Sequence, residues 1–216
     1  MKKLKVVEIF HSIQGEGLRI GEPQIFIRLA GCNMRCRWCD TAYSWDEKDV
    51  KEMTPNEIIN EIENYPCRSV HITGGEPLIQ AEPLEMLIRL LKLKGYFVHL
   101  STNGSIYDKT IFQLCDFVSM DMKPPSSGMK SDLENLWRLY YLKGEDCEFK
   151  IVIAGEEDLK FALYIIYPKT CGTIILQPEG GVNIKWLVDE LKKYNLRNVR
   201  VLPQLHKIIY GKRRGV

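Results

Sequence analysis

Long apolar runs are missing from this chain. No stretch of its 216 residues approaches the ~18 consecutive apolar residues of a membrane span. The opening MKKLKVVEIFHSIQ is charged and then strand-like, without the apolar stretch and small-residue cleavage site of a secretory signal. A cytosolic protein with no membrane partner is therefore expected. An excess of one charge is missing too. The 30 Lys and Arg nearly cancel the 28 Asp and Glu, for a formal net charge of +2, so nothing electrostatic argues for a nucleic-acid partner. The locally basic GKRRGV reads on its own as a solvated end. Internal repeats, low-complexity tracts and Gly/Ser-rich linkers are absent, and a 45% hydrophobic content can fill a core, so a single domain over 1–216 is expected. There is also no second Cys-x2-Cys pair and no paired histidine spacing, the usual marks of a four-ligand zinc site.

What is present is GCNMRCRWCD, residues 31–40, which gathers Cys32, Cys36 and Cys39 in one short loop. The remaining cysteines, Cys67, Cys115, Cys147 and Cys171, are scattered at element edges and read as small buried hydrophobes. In a reducing compartment the set argues against a disulfide framework. Three thiolates in one loop form a soft ligand set. A structural zinc completed by His71 or His11 is one reading, although a lone histidine near a strand also serves as an ordinary core or surface residue. An iron–sulfur cluster is the other. Such clusters commonly take four thiolates, so one held by three leaves an iron open to a substrate or cofactor, as catalytic zinc sites keep one position open.

Strand-like and helix-like segments alternate around this loop. Strand patterns fit 24–30, 69–73, 96–102, 116–122, 148–154, 172–178 and 198–203, and helix patterns fit 54–65, 83–94, 133–142, 159–166 and 184–194. The helix over 54–65 opens with Thr54 as cap, Pro55 at its first position and Glu57 for a capping box. Strands alternating with amphipathic helices imply right-handed crossovers and a parallel sheet. About seven such strands fall one short of a closed eight-unit barrel. The expected fold class is therefore α/β, a partial, open parallel β/α barrel. Ligands sit beyond the carboxyl ends of parallel strands. The cysteine loop, TGGEP, STNG, DMKPP and QPEGG all fall there, and KPPSSGMKSD reads as a loop over one mouth of the sheet.

The spacing Cys32-x3-Cys36-x2-Cys39, with Trp38 before the third cysteine, resembles that of the radical S-adenosylmethionine superfamily. TGGEP resembles the turn whose backbone meets the cofactor's amino group, where glycines let the main chain approach closely. It is not a dinucleotide loop, because the G-x-G-x-x-G spacing is absent. The resemblance implies a 4Fe–4S cluster on the three cysteines, with S-adenosylmethionine chelating the fourth iron. It also implies an external one-electron reductant of the flavodoxin or ferredoxin type, and cleavage of the cofactor to a 5′-deoxyadenosyl radical. Cofactor contacts are expected from Trp38, Cys39, Asp40, Gly75, Gln177 and the strand end Asp121-Met122-Lys123, where relatives often read Ser-Pro-Lys.

Three stretches carry a narrower resemblance, to the 7-carboxy-7-deazaguanine synthase family: EIFHSIQGEG (8–17), FIRLAGCNMRCRWCDTAYSW (26–45) and VLPQLHKIIYGKRRGV (201–216). It implies conversion of 6-carboxy-5,6,7,8-tetrahydropterin to 7-carboxy-7-deazaguanine with release of ammonia, in queuosine or archaeosine biosynthesis, by a Mg2+-dependent homodimer. By the same resemblance Ile13, Gln14, Gly15, Thr73 and Val216 meet the substrate, and Glu16 extends this set to the donor edge of the ring. Arg28 is suited to hold the substrate carboxylate bidentately; without the motif it reads as a surface arginine on an edge strand. Thr41 gives Mg2+ one oxygen, which leaves most of the sphere to substrate and water; on its own it reads equally as a cap or turn hydroxyl. Ser101, in LSTNG, stands where relatives often carry a carboxylate, so proton handling is expected to pass to water, Glu76 or another group. The segment 203–216 is expected to fold over the substrate mouth, with His206 or Lys207 close to it.

Two rivals fit parts of the pattern. An activase that takes hydrogen from a glycine of a partner protein shares the cysteine spacing but has no use for SIQGEG or Thr41. A zinc-binding interaction module is the non-enzyme alternative.

Overall fold

The computed structural model describes residues 2–46, 50–167, 172–181, 183–211 and 213–216. Strand β1 (Leu4–Ile13) lies antiparallel between β2 (Pro23–Leu29) and the short β3 (Lys51–Met53). From β2 onward the sheet is parallel and follows chain order through β4 (Ser69–Gly74), β5 (Phe97–Thr102), β6 (Phe117–Asp121), β7 (Cys147–Ile153), β8 (Thr173–Pro178) and β9 (Val199–Val201). The order β3-β1-β2-β4-β5-β6-β7-β8-β9 leaves β3 and β9 as edges, so the sheet is open. The parallel strands read from the sequence are all present. The antiparallel setting of β1 and the addition of β3 are new, and three residues are too few for any alternation to show.

The helices are α1 (Pro55–Ile62), α2 (Ala81–Leu93), α3 (Lys109–Leu114), α4 (Leu133–Lys143), α5 (Glu156–Ile166), α6 (Ile184–Leu191) and α7 (Leu205–Tyr210). The capping box forms: the Glu57 N–H donates to Thr54 Oγ1, and the Thr54 N–H donates back to Glu57 Oε2 at 2.7 Å. Ile58, Ile59 and Ile62 are buried. Helices α3 and α7 have six residues each, less than two turns, and left no readable period. No helix of the described residues is long and apolar enough to cross a membrane.

The strands' period of two divides the sheet into unlike faces. One carries Ile25, Ile27, Val70, Ile72, Val98 and Leu100, continued through β6 to β8, and is buried with Leu84, Leu87, Ile88 and Leu91 of α2. Each such side chain stabilises the fold by about 1.5–3 kcal/mol. The other face carries Arg28, His71, His99, Ser101, Asp121 and Lys150, and the register sets His71 opposite His99 and Asp121 opposite Lys150. A parallel sheet covered by helices on both sides would be apolar throughout, so this polar face is where the fold departs from packing needs. Cys115 and Cys147 are buried and Cys67 is half-buried, as small hydrophobes would be; none of the described cysteines is in a disulfide. Cys171 lies outside the described residues.

Candidate active site

At the carboxyl end of β2 the chain turns into the cysteine loop, which its neighbours hold on two sides. The Arg37 N–H donates to Ser127 O and Trp38 Nε1 donates to Ser126 Oγ, both at 3.0 Å, so the KPPSSG loop clamps one flank. On the other flank the Gly75 N–H donates to Leu29 O at 3.0 Å and the Glu76 N–H to Gly31 O at 2.8 Å. A β-carbon at Gly75 would run into the Gly31 carbonyl and crowd Cys32 Cβ. This close approach of two backbones is what the glycine is for. Glu76 is fully buried and accepts from Thr102 Oγ1 at 2.9 Å, the Leu78 N–H at 3.0 Å and the Asn103 N–H at 2.6 Å. Burial pushes its carboxyl up, against those hydrogen bonds. It joins the TGGEP and STNG loops and is not among the residues that line the cavity.

Cys32, Cys36 and Cys39 face a cavity of about 830 Å³. Burial raises the Cys32 and Cys36 thiols, so a bound metal must displace their protons. A single tetrahedral zinc, with bonds of ~2.3 Å, would draw its sulfurs to within ~4 Å of one another. Among the described residues, the one trio of ligating atoms within 4.8 Å of one another is Glu16, Asp40 and His206, not the thiols. Three thiols on one cavity are the kind of donor set an iron–sulfur cluster takes. The Met34 N–H at 3.4 Å and Asn103 Nδ2 at 3.9 Å point at Cys32 Sγ, the kind of donors that tune cluster sulfurs. Thr41 Oγ1 borders the same cavity, 3.6 Å from Cys39 Sγ.

The floor is an ion-pair network. Lys150 Nζ is 2.8 Å from Glu16 Oε2 and 4.0 Å from Asp121 Oδ2, and Lys123 Nζ is 3.1 Å from Asp121 Oδ2. Burial disfavours charge on both Lys150 and Glu16. The attraction of Glu16, Asp121 and Glu148 nevertheless holds Lys150 above the usual lysine range, and Lys150 and His206 hold Glu16 well below the carboxylate range. Residues 204–207 complete the network. Gln204 Nε2 donates to Glu16 Oε1 at 2.6 Å, the Leu205 N–H donates to Gly15 O at 2.8 Å, and His206 and Lys207 stand 3.6 and 3.8 Å from Asp40 Oδ2. With two lysines on these carboxylates, the Glu16–Asp40–His206 trio is a closing contact of α7 rather than a cation site.

The opposite wall is aromatic. Phe10 and Phe26 stack with centroids 5.0 Å apart, beside Arg28. Arg28 Nε is 2.6 Å from Glu8 Oε1, which also accepts from Tyr43 OH at 2.9 Å. Burial pushes the Tyr43 hydroxyl up to about 12. The Arg214 guanidinium lies 3.6 Å over the Tyr43 ring.

Of the residues read from the sequence, Ile13, Gln14, Gly15, Glu16, Arg28, Trp38, Asp40, Thr41, Thr73, Gly75, Asp121, Lys123 and Val216 join the cysteines around this one cavity. Met122 does not: it is packed in the aliphatic core. Gln177 is buried in β8 and does not line the cavity, and among the described residues its Nε2 has no hydrogen-bond partner. Sequence reasoning missed Glu8, Tyr43, Lys150, Gln204 and Arg214, and read His71 only as a zinc ligand or an ordinary core or surface residue. Lys150 left a usable signal, a second charge two residues after Glu148 inside an otherwise apolar strand.

Residues 26–121 match the Radical SAM superfamily. The chain is 34% identical to the 7-carboxy-7-deazaguanine synthase of Bacillus cereus over 100% of both chains. It is 39% identical to that of Thermoplasma acidophilum, over 98% of this chain and 99% of the relative. Its fold is similar to that of QueE from Escherichia coli, with a TM-score of 0.75 at 24% identity, covering 94% of this chain and 95% of that one. It is also similar to Streptococcus suis SuiB bound to S-adenosylmethionine, with a TM-score of 0.58 at 12% identity, covering 83% of this chain and 50% of SuiB. Full-length identity at this level, with the cysteine loop and the TGGEP turn interlocked as described, means that the chain belongs to the 7-carboxy-7-deazaguanine synthase family of radical S-adenosylmethionine enzymes.

Proposed function

We propose that this 7-carboxy-7-deazaguanine synthase takes 6-carboxy-5,6,7,8-tetrahydropterin into the cavity beside the three thiols and releases 7-carboxy-7-deazaguanine and ammonia. The observation that carries the substrate assignment is the pairing of an aromatic wall, Phe10 and Phe26, with an arginine, Arg28, across the cavity from Cys32, Cys36 and Cys39. A flat ring stacks on such a wall, and its carboxylate finds a guanidinium. Arg28 keeps its terminal nitrogens for that purpose while Glu8 holds its Nε.

The roles of the remaining residues follow from their positions. Cys32, Cys36 and Cys39 would hold the cluster, and Trp38, Asp40 and the Gly75 backbone would border S-adenosylmethionine. Cluster and cofactor together supply, when bound, the radical that starts the reaction. Thr41 would give Mg2+ one oxygen, and the substrate carboxylate and water the rest. The residues 203–216 close over the ring, with Gln204 and His206 resting on Glu16 and Gly15. The same reading includes a cytosolic setting, which keeps thiols free, a flavodoxin- or ferredoxin-type reductant and a homodimer.

Anaerobic assay of the reconstituted protein with the tetrahydropterin, S-adenosylmethionine, Mg2+ and a reductant tests the reading. Deazapurine and ammonia are expected in equal amounts, and activity is expected to fall on Mg2+ removal. An intact brown cluster with no deazapurine formed rejects it.

A further inference from the structure

His71 of β4 and Ser101 of β5 both border the cavity, and their protonation can be read from the hydrogen bonds behind them. The Glu16 N–H donates to Gln14 Oε1 at 3.1 Å, which sets the orientation of that amide. Gln14 Nε2 then faces His71 Nδ1 at 2.9 Å, the shortest of its contacts, with Gln24 Oε1 at 3.3 Å and His99 Nδ1 at 3.4 Å. An amide nitrogen can only donate, so His71 Nδ1 carries no proton. The neutral ring holds its proton on Nε2, which lies 2.7 Å from Ser101 Oγ. Ser101 therefore accepts from His71. Among the described residues its oxygen has no other hydrogen-bond partner, so its own hydrogen is left for the cavity.

The surroundings keep His71 neutral. It is 5% exposed and stacks on His99 at 4.1 Å. Burial first, then the positive charges of Lys150, Arg28 and Arg19, hold its pKa well below the ordinary histidine value. His99 is held low in the same way, with His71, Lys150 and Arg19 against its charge. Its Nε2 turns the other way, to Ser119 Oγ at 2.8 Å.

We infer that Ser101 is a fixed hydrogen-bond donor to the bound substrate, set in place by Gln14 and His71, and that it selects a ring bearing an acceptor there, such as a carbonyl oxygen. The inference rests on the pterin reading above and adds a specificity contact to it. Ser101 is not a proton-accepting base. His71 Nε2 already carries a proton and cannot take one from the hydroxyl, and releasing that proton would leave an imidazolate. The position that a carboxylate would make an acceptor is here a donor.

The test combines affinity with a spectroscopic readout. Ser101→Ala is expected to raise the KM for the tetrahydropterin roughly tenfold, the loss of one hydrogen bond to substrate, with a smaller effect on kcat. Ser101→Thr, which keeps the hydroxyl, is expected to restore most of the affinity. In the holo protein, 15N-histidine NMR at about pH 7 should show His71 as the neutral Nε2–H form, with the signal assigned by its loss in His71→Asn. An unchanged KM in Ser101→Ala, or the Nδ1–H form in NMR, overturns the inference. If the wild type makes no deazapurine, the pterin reading fails instead, and the NMR result still decides whether Ser101 donates.

Discussion

Lys150 is a cation in the middle of β7, whose seven residues are all buried. Its charge is tolerated because Glu16 stands 2.8 Å away with Asp121 behind it. Removing one partner of a buried pair leaves the other uncompensated, so Lys150→Met is expected to lower the unfolding free energy by about 3–5 kcal/mol. The pH dependence follows from Glu16. Its pKa in the folded chain lies below the unfolded value, so its contribution is complete above ~4.3, the unfolded glutamate value, and is lost as pH falls from there toward the lower folded value. Denaturant midpoints measured between about pH 7 and pH 3 should fall in the wild type over the acid end, and fall less in Lys150→Met. Gly75→Ala sets a β-carbon against the Gly31 carbonyl and Cys32. Overpacking of this kind costs about 1–3 kcal/mol, and the shift of the Cys32 backbone should at least halve the iron bound, as read by iron and sulfide assay. The cysteines were legible because their spacing along the chain is itself the ligand pattern. Lys150 was not singled out, because Glu148 and Lys150 alternate with Phe149 and Ile151 and so keep the strand pattern of EFKIVIA intact, and Glu16 lies 134 positions away. Arg28 was legible only as a cation; that Glu8 would take its Nε depended on the register of β1 against β2.

Helix α1 shows how far local rules reach. Its cap, its first-turn proline and its buried isoleucines are properties of contiguous residues, and all of them appear as the sequence dictates. Thr54→Ala removes both hydrogen bonds that the cap side chain makes to Glu57 and should cost about 1 kcal/mol by thermal or denaturant unfolding. Iron content should not change, since α1 packs on the aliphatic side of the sheet. The longer parallel strands, β2 and β4 to β8, were legible for a related reason: each is long enough to display a pattern and is followed by a helix or a breaker. Orientation is a different kind of property. Whether β1 pairs antiparallel with β2 depends on the turn through residues 14–22, where the Gln14 N–H donates to Glu22 O and the Gly21 N–H to Gln14 O, both at 2.7 Å. No periodicity records that. The interlock of the cysteine loop with TGGEP was likewise invisible as a contact, although both segments were placed at strand ends on one face.

The sheet is open between β3 and β9, and the cavity on its polar face is covered in part by α7. The polar contacts of α7 and its cap residue Gln204 include a backbone hydrogen bond to Gly15, a side-chain bond from Gln204 to Glu16, and two partly exposed charge contacts on Asp40. Exposed ion pairs contribute only ~0–1 kcal/mol each. The exposed Ile208 and Ile209 add little apolar burial. Such an element sits at the low end of local stability and can open without unfolding the sheet. That is what a cover must do if a ring is to enter and leave. Removing residues 205–216 should therefore leave the unfolding midpoint of the sheet and the iron content nearly unchanged, because the aliphatic core contains none of them. The same truncation strips Val216, Arg214 and His206 from the cavity wall. The KM for the tetrahydropterin should then rise at least tenfold, since each 1.4 kcal/mol of lost contact is worth about that factor. Cleavage of S-adenosylmethionine not coupled to deazapurine should rise at the same time, because water then reaches the site. Limited trypsin digestion checks the same step in the intact chain. Cleavage after Arg213 and Arg214 should slow when S-adenosylmethionine and the pterin are added together. Equal cleavage rates with and without them would mean that α7 does not close on the substrate.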